Sequence, residues 1–196
     1  HIEVIPEIDM PGHFVAAMTA YPEYSCYPNG SHQLWIDGGI SSDILNVANP
    51  AAVQFAKDIL AEIIDIFPYE QIHIGGDECP TSAWEGNAEC QALYKELGLT
   101  NYRQLQSLFI KEISDFVQEK GRKISVWNEA ISAGGADTDL IKATGATVYC
   151  WTGPEAACKK AANLGLDNIY TPWGPYYINR KQSTDPNEPP GAGDGT

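Results

Sequence analysis

Two carboxylates stand side by side at Asp77-Glu78, directly after His73-Ile74-Gly75-Gly76. Residues 71–74 alternate apolar and polar with β-branched members, and the two glycines end that strand and let the chain turn tightly. Neighbouring acids at a strand end repel each other and lose solvation when half buried, so their placement is costly unless the charge is used. One use is acid–base chemistry, because an anion beside a partly desolvated carboxyl group keeps a proton on it. The plain alternative is an exposed acidic turn; the preceding Gly-Gly, His73 and nearby Trp84 weigh against it. Further groups of this kind follow apolar runs at Asp9-Met10-Pro11-Gly12-His13, Trp127-Asn128-Glu129 and Trp151.

Other chemistries find less support. No pair among Cys26, Cys79, Cys90, Cys150 and Cys158 has the two-residue spacing of a zinc knuckle, so no metal site is assigned. A Cys79–Cys90 bridge and buried, reduced thiols are equally compatible with the spacing. Lys and Arg total 12 against 26 Asp and Glu, a net charge of −14 that disfavours nucleic acid and anionic membrane as partners. Neutral sugars fit better. No apolar run approaches the roughly 18 residues of a spanning helix, and no signal peptide is visible. The chain opens on His1 within a strand pattern, so it is expected to be an internal piece of a longer protein.

The elements that must carry these residues alternate. A strand over residues 2–8 delivers Asp9 and His13 to a long Pro-, Gly- and Tyr-rich loop over residues 21–42, a length that is usually functional. Asn49-Pro50 caps a helix whose face is Val53, Ala56, Leu60, Ile63, Ile64 and Phe67. After the strand into Asp77-Glu78 comes an irregular stretch through Trp84, then a helix over residues 101–120 with Leu105, Leu108, Phe109, Ile113 and Phe116 inward. Strands over 123–127, 146–151 and 167–170 alternate with helices over 138–144 and 154–164, and a polar tail runs from Lys181. Strand–helix repetition implies a parallel sheet with helices outside. A doubly wound sheet and a (β/α)₈ barrel both satisfy it. The chemistry-bearing residues at strand carboxyl ends favour the barrel, and no Gly-x-Gly-x-x-Gly turn supports a nucleotide fold. A full barrel needs about 250 residues, so a partial one with about strands 3 to 7 is expected.

The stretches His73-Ile74-Gly75-Gly76-Asp77-Glu78 and Glu3-Val4-Ile5-Pro6-Glu7-Ile8-Asp9-Met10-Pro11-Gly12-His13 resemble glycoside hydrolase family 20, the β-N-acetylhexosaminidases. Weaker matches continue to about Asn179. The resemblance implies that residues 1–196 lie within one catalytic barrel domain, with 181–196 a loop-like tail and the first two and eighth strands elsewhere. It also implies no cofactor, a β-linked N-acetylhexosamine glycan as substrate, and a secreted, periplasmic or lysosomal-type compartment.

Residue roles follow from the same resemblance. Glu78 is the general acid and base, Asp77 holds the acetamido N–H, and His13 tunes Glu78. Trp127 and Trp151 wall the acetamido pocket, Tyr177 donates to the acetamido oxygen, and Asp9 and His73 position the rest. Glu129 could bind a sugar hydroxyl. Asn179 stands where the family usually has Asp; it keeps hydrogen bonding without charge and bears on sugar preference. Three readings remain: an exo-acting enzyme removing terminal GlcNAc or GalNAc, a relative releasing a disaccharide such as lacto-N-biose, and a carbohydrate-binding fragment without turnover.

Overall fold

The computed structural model describes residues 2–36, 38–181, 183–189 and 191; His1, Asp37 of the expected loop and seven of the sixteen residues of the expected 181–196 tail lie outside them. Four short strands, β1 (Gln71–His73), β2 (Lys123–Trp127), β3 (Thr147–Cys150) and β4 (Asn168–Tyr170), pair in parallel in chain order. Each is returned to the same edge direction by helices, so every strand carboxyl end opens on one side. This sheet with its helices is part of a (β/α)₈ barrel.

The strand expected over residues 2–8 is realised only at its end. Glu7 bridges His73, Ile8 N–H donates to His73 O at 2.9 Å, and His73 N–H donates to Pro6 O at 2.9 Å. The next donor in that ladder would be residue 6. Proline has no N–H, so pairing stops there and Ile2 and Val4 are exposed.

Asn49 accepts from Ala51 N–H and starts α2 (Pro50–Ile66), which buries Ala52, Val53, Ala56, Leu60 and Ile64 as expected, with Ile63 and Phe67 half-buried. α5 (Arg103–Glu119) buries Leu105, Phe109, Ile110, Ile113 and Val117. Its buried stripe is rotated relative to the expected one, leaving Leu108 and Phe116 half-buried. Both helices share one core with Ile72, Ile74, Ile124, Val126 and Val148 of the sheet.

Four short helices occupy stretches that were not assigned as helix from sequence: α1 (Val15–Ala20), α3 (Ser82–Gly86), α4 (Ala88–Glu96) and α6 (Glu129–Ser132). α7 (Thr138–Thr144), α8 (Pro154–Leu164) and the single turn α9 (Trp173–Tyr176) complete the chain. Trp84 is fully buried in α3, with Nε1–H donating to Leu45 O at 3.0 Å. It is a core residue, and its nearness in sequence to Asp77-Glu78 does not make it part of the site. All five cysteines are free, and the thiol that neighbours Cys90 is Cys26, not Cys79.

Candidate active site

The sheet ladders continue past the strands and fix the loops that bear the acids. Met10 N–H donates to Ile74 O at 3.0 Å, Trp127 N–H to Gly75 O at 2.9 Å, and Asn128 N–H to Tyr149 O at 3.0 Å. Asp9, Asp77, Asn128 and Trp151 are thereby brought to one rim. Gly75 has φ of 69° and a Cβ there would run into the Asp9 carboxyl group, so only glycine fits. Glu78 itself has φ of 42° and His13 has φ of 51°, a left-handed backbone that non-glycine residues adopt at a cost of order 1–3 kcal/mol. Such cost is tolerated where the surroundings dictate it. Here Gln106 Nε2–H donates to Gly76 O at 2.8 Å, and Arg103 donates to Cys79 O at 2.6 Å and to Gln106 Oε1 at 2.7 Å. The first turn of α5 therefore clamps both ends of the Asp77-Glu78 turn.

Within that turn, His13 Nε2 lies 3.2 Å from Glu78 Oε2 and 3.8 Å from Asp77 Oδ2. Gly76 N–H donates to Asp9 Oδ1 at 3.0 Å. Burial, the Asp77 charge and a hydrogen bond to Asp77 push the Asp9 carboxyl group up to about 9. Asp9 is thus the protonated partner. Asp9, His13 and Asp77 bring three potential ligand atoms within 4.8 Å of one another. With Asp9 raised to about 9, a cation there would have to displace the Asp9 proton.

Two tryptophans each have the indole N–H tied to a carboxylate. Trp127 Nε1–H donates to Glu7 Oε1 at 2.7 Å and Trp151 Nε1–H to Glu129 Oε2 at 2.8 Å. Trp151 stacks on Tyr177, rings 8° from parallel and centroids 6.2 Å apart. Burial, reinforced by the charges of Asp77, Glu78 and Glu129, raises the Tyr177 phenol, which keeps its proton as a donor. Burial likewise raises Glu129, against the Trp151 hydrogen bond, with Asp77 and Glu78 adding to it. A cavity of about 220 Å³ opens beside Glu78 and Glu129, lined also by Ile40, Arg103 and Ala133. A larger one, about 510 Å³, lies in the loop around His32 and Trp35 and touches neither Asp77 nor Glu78. Of the two adjacent acids, Glu78 lines the smaller cavity and Asp77 does not.

The chain matches the profile of "Glycosyl hydrolase family 20, catalytic domain" over residues 1–195. It belongs to that family. A beta-hexosaminidase of Porphyromonas gingivalis is 35% identical over 189 residues, covering 96% of this chain and 23% of the relative. One from Vibrio furnissii is 32% identical over 188 residues, covering 96% and 30%. Among solved structures, the Flavobacterium johnsoniae chitobiase superposes with a TM-score of 0.75 at 29% identity, over 85% of this chain and 25% of that one. The exo beta-N-acetylglucosaminidase from Vibrio harveyi in complex with N-acetylglucosamine gives 0.70 at 30% identity, over 87% and 26%. The chain spans about a quarter to a third of the length of these curated relatives.

Against the family pattern, the structure gathers Asp9, His13, Asp77 and Glu78 into one cluster, with Glu129, Trp151 and Tyr177 beside it. His73 packs elsewhere: its ring lies 4.7 Å from Trp127 and 4.9 Å from Tyr149, and Nδ1 accepts from Gly75 N–H at 3.1 Å. Its carboxylate neighbour is Glu7, 3.4 Å away. Asn179 is exposed and hydrogen-bonds to none of the cluster residues. Glu7, Arg103 and Gln106 position the site without having been singled out from sequence, and Asn128, noted there only within the Trp127-Asn128-Glu129 group, also does. For Glu7 a signal existed, since it faces the same side of the extended segment as Asp9.

Proposed function

We propose that this catalytic domain hydrolyses β-linked N-acetylhexosaminides from the non-reducing end by a substrate-assisted, retaining route. One observation carries the reading: Glu78, its side chain 33% exposed and 3.2 Å from His13, lines the cavity, while the adjacent Asp77 is only 14% exposed and lies against Asp9. Glu78 donates to the glycosidic oxygen and later takes a proton from water. Side chains of adjacent residues leave the backbone in different directions, so Asp77 and Glu78 do not straddle one bond as the usual carboxylate pair does. Family 20 departs from that arrangement, because its substrate supplies the nucleophile. Asp77 accepts from the acetamido N–H as the oxazolinium ring forms and positive charge develops. Asp9, holding its own proton, donates to Asp77 and fixes the carboxylate facing the sugar.

Trp127 and Trp151 form apolar walls for the acetamido methyl group, their planes set by Glu7 and Glu129. The Tyr177 hydroxyl donates to the acetamido oxygen and turns it toward the anomeric carbon. Terminal GlcNAc or GalNAc is the sugar this pocket suits. The relatives named beta-hexosaminidase support the class. Release of N-acetylhexosamine with retained β-configuration from a chitobiose-type substrate by the full-length protein tests it. Release of the inverted anomer, or of a disaccharide unit only, would overturn it.

A further inference from the structure

The segments that follow the two catalytic motifs are laced together. Asn46 Nδ2–H donates to Glu89 Oε2 at 2.6 Å. The Asn87 side chain donates to Cys26 O at 3.1 Å and accepts from Cys90 N–H at 3.0 Å, so one carboxamide spans the backbones of two cysteines. The two thiols reach adjacent residues: the Cys26 thiol donates to Leu45 O at 3.8 Å and the Cys90 thiol to Asn46 Oδ1 at 3.3 Å, so both sulfurs lie at the Leu45-Asn46 step. Both side chains are buried.

We propose that Cys26 and Cys90 close into a disulfide that staples the loop following His13 to helix α4, which follows Glu78. The thiolate of one of the two cysteines attacks one sulfur of a low-molecular-weight disulfide and expels a thiolate. The sulfur of the other then attacks the protein side of the mixed disulfide, gives up its proton, and releases the second thiol. Two protein thiols are oxidised and one external disulfide is reduced to two thiols. The staple encloses Asp77 and Glu78 in its covalent loop and restricts the two segments that hold the acid cluster in register.

Full-length protein is incubated with oxidised glutathione in sub-denaturing urea, which lets the buried pair open. Remaining thiols are alkylated after denaturation. Digestion without reduction by a glutamate-specific protease cuts at Glu85 and Glu89, separating Cys79 from Cys90. The expected product is one cross-linked peptide joining Cys26 to Cys90, with a melting temperature raised by roughly 5–10 °C and restored by reductant. Cys26→Ser should abolish both the link and the reductant-sensitive rise. Alkyl label on both Cys26 and Cys90 in the oxidised sample, or a link from either to Cys79, overturns the proposal. So does a reductant-sensitive rise that persists in Cys26→Ser. If that variant fails to fold, the mapping on the unaltered chain still decides.

Discussion

Asp9 and Asp77 set carboxylate oxygens within 4.8 Å of each other, and burial together with the Asp77 charge keeps a proton on Asp9. Its folded value, about 9, lies above the ordinary 3.8, so between those limits the folded chain keeps a proton that the unfolded chain has released. The associated stability is complete below about pH 4 and is lost as pH rises toward 9. The melting temperature should therefore fall from pH 5 to pH 9, and Asp9→Asn, which keeps a donor toward Asp77 without a titrating proton, should flatten that slope. Melting curves of the two proteins across this range check it; identical slopes would contradict the raised Asp9 carboxyl group.

Glu78→Gln removes the acid while keeping its shape. Turnover of substrates with poor leaving groups should drop by about 10² to 10⁴, the usual worth of general acid catalysis. Activated aryl glycosides need little protonation and should lose much less in the glycosylation step. Rates on both substrate types, measured with the full-length protein, separate these effects. Equal losses with an unchanged pH profile would take Glu78 out of the acid role.

If the acetamido oxygen is the nucleophile, a stable thiazoline mimic of the cyclic intermediate should inhibit competitively. It should bind at least about 10²-fold more tightly than free N-acetylglucosamine, as mimics of high-energy states do. Inhibition constants for the two compounds settle the comparison. A covalent glycosyl adduct on Asp77 would instead indicate a two-carboxylate mechanism.

Four of the five expected strands and the long helices were legible because their patterns are local: the alternation before Gly75-Gly76 and the Asn49-Pro50 cap each act on neighbouring residues. The shorter helices were not. α4 is only nine residues and weakly amphipathic, so its Asn87 cap was a sufficient start signal without a periodic face to follow it. The acids themselves were legible from type and spacing. What sequence could not show is which carboxyl group keeps the proton. The adjacent anion at Asp77 pointed toward Glu78, whereas the residue whose proton is firmly held is Asp9, 68 positions from Asp77, whose burial arises only when the extended segment docks on β1. Trp84 misled in the opposite sense: proximity in sequence placed it near the site, and helix α3 turned it into the core.

Asn128 gives the last prediction. It is fully buried, and its amide makes four hydrogen bonds: Oδ1 accepts from Trp151 N–H at 3.0 Å and Thr152 N–H at 3.2 Å, while Nδ2–H donates to Ser132 Oγ at 2.9 Å and Thr152 O at 3.1 Å. This one side chain ties the end of β2 to the end of β3, and so sets Trp151 relative to Trp127. Asn128→Ala would leave two buried N–H groups without an acceptor, at roughly 1–3 kcal/mol each. Asn128→Asp restores the acceptor but not the donor and buries a charge, so it should not rescue. Because the change acts on a pocket wall and not on the acid, KM for N-acetyl substrates should rise several-fold in both variants. The ratio of rates on good and poor leaving groups should stay near that of the unaltered protein. Urea unfolding and KM measured on the full-length protein check the two halves. A variant with normal stability and normal KM would show that the β2–β3 clip does not hold the wall, and a changed leaving-group ratio would place Asn128 on the acid side of the site.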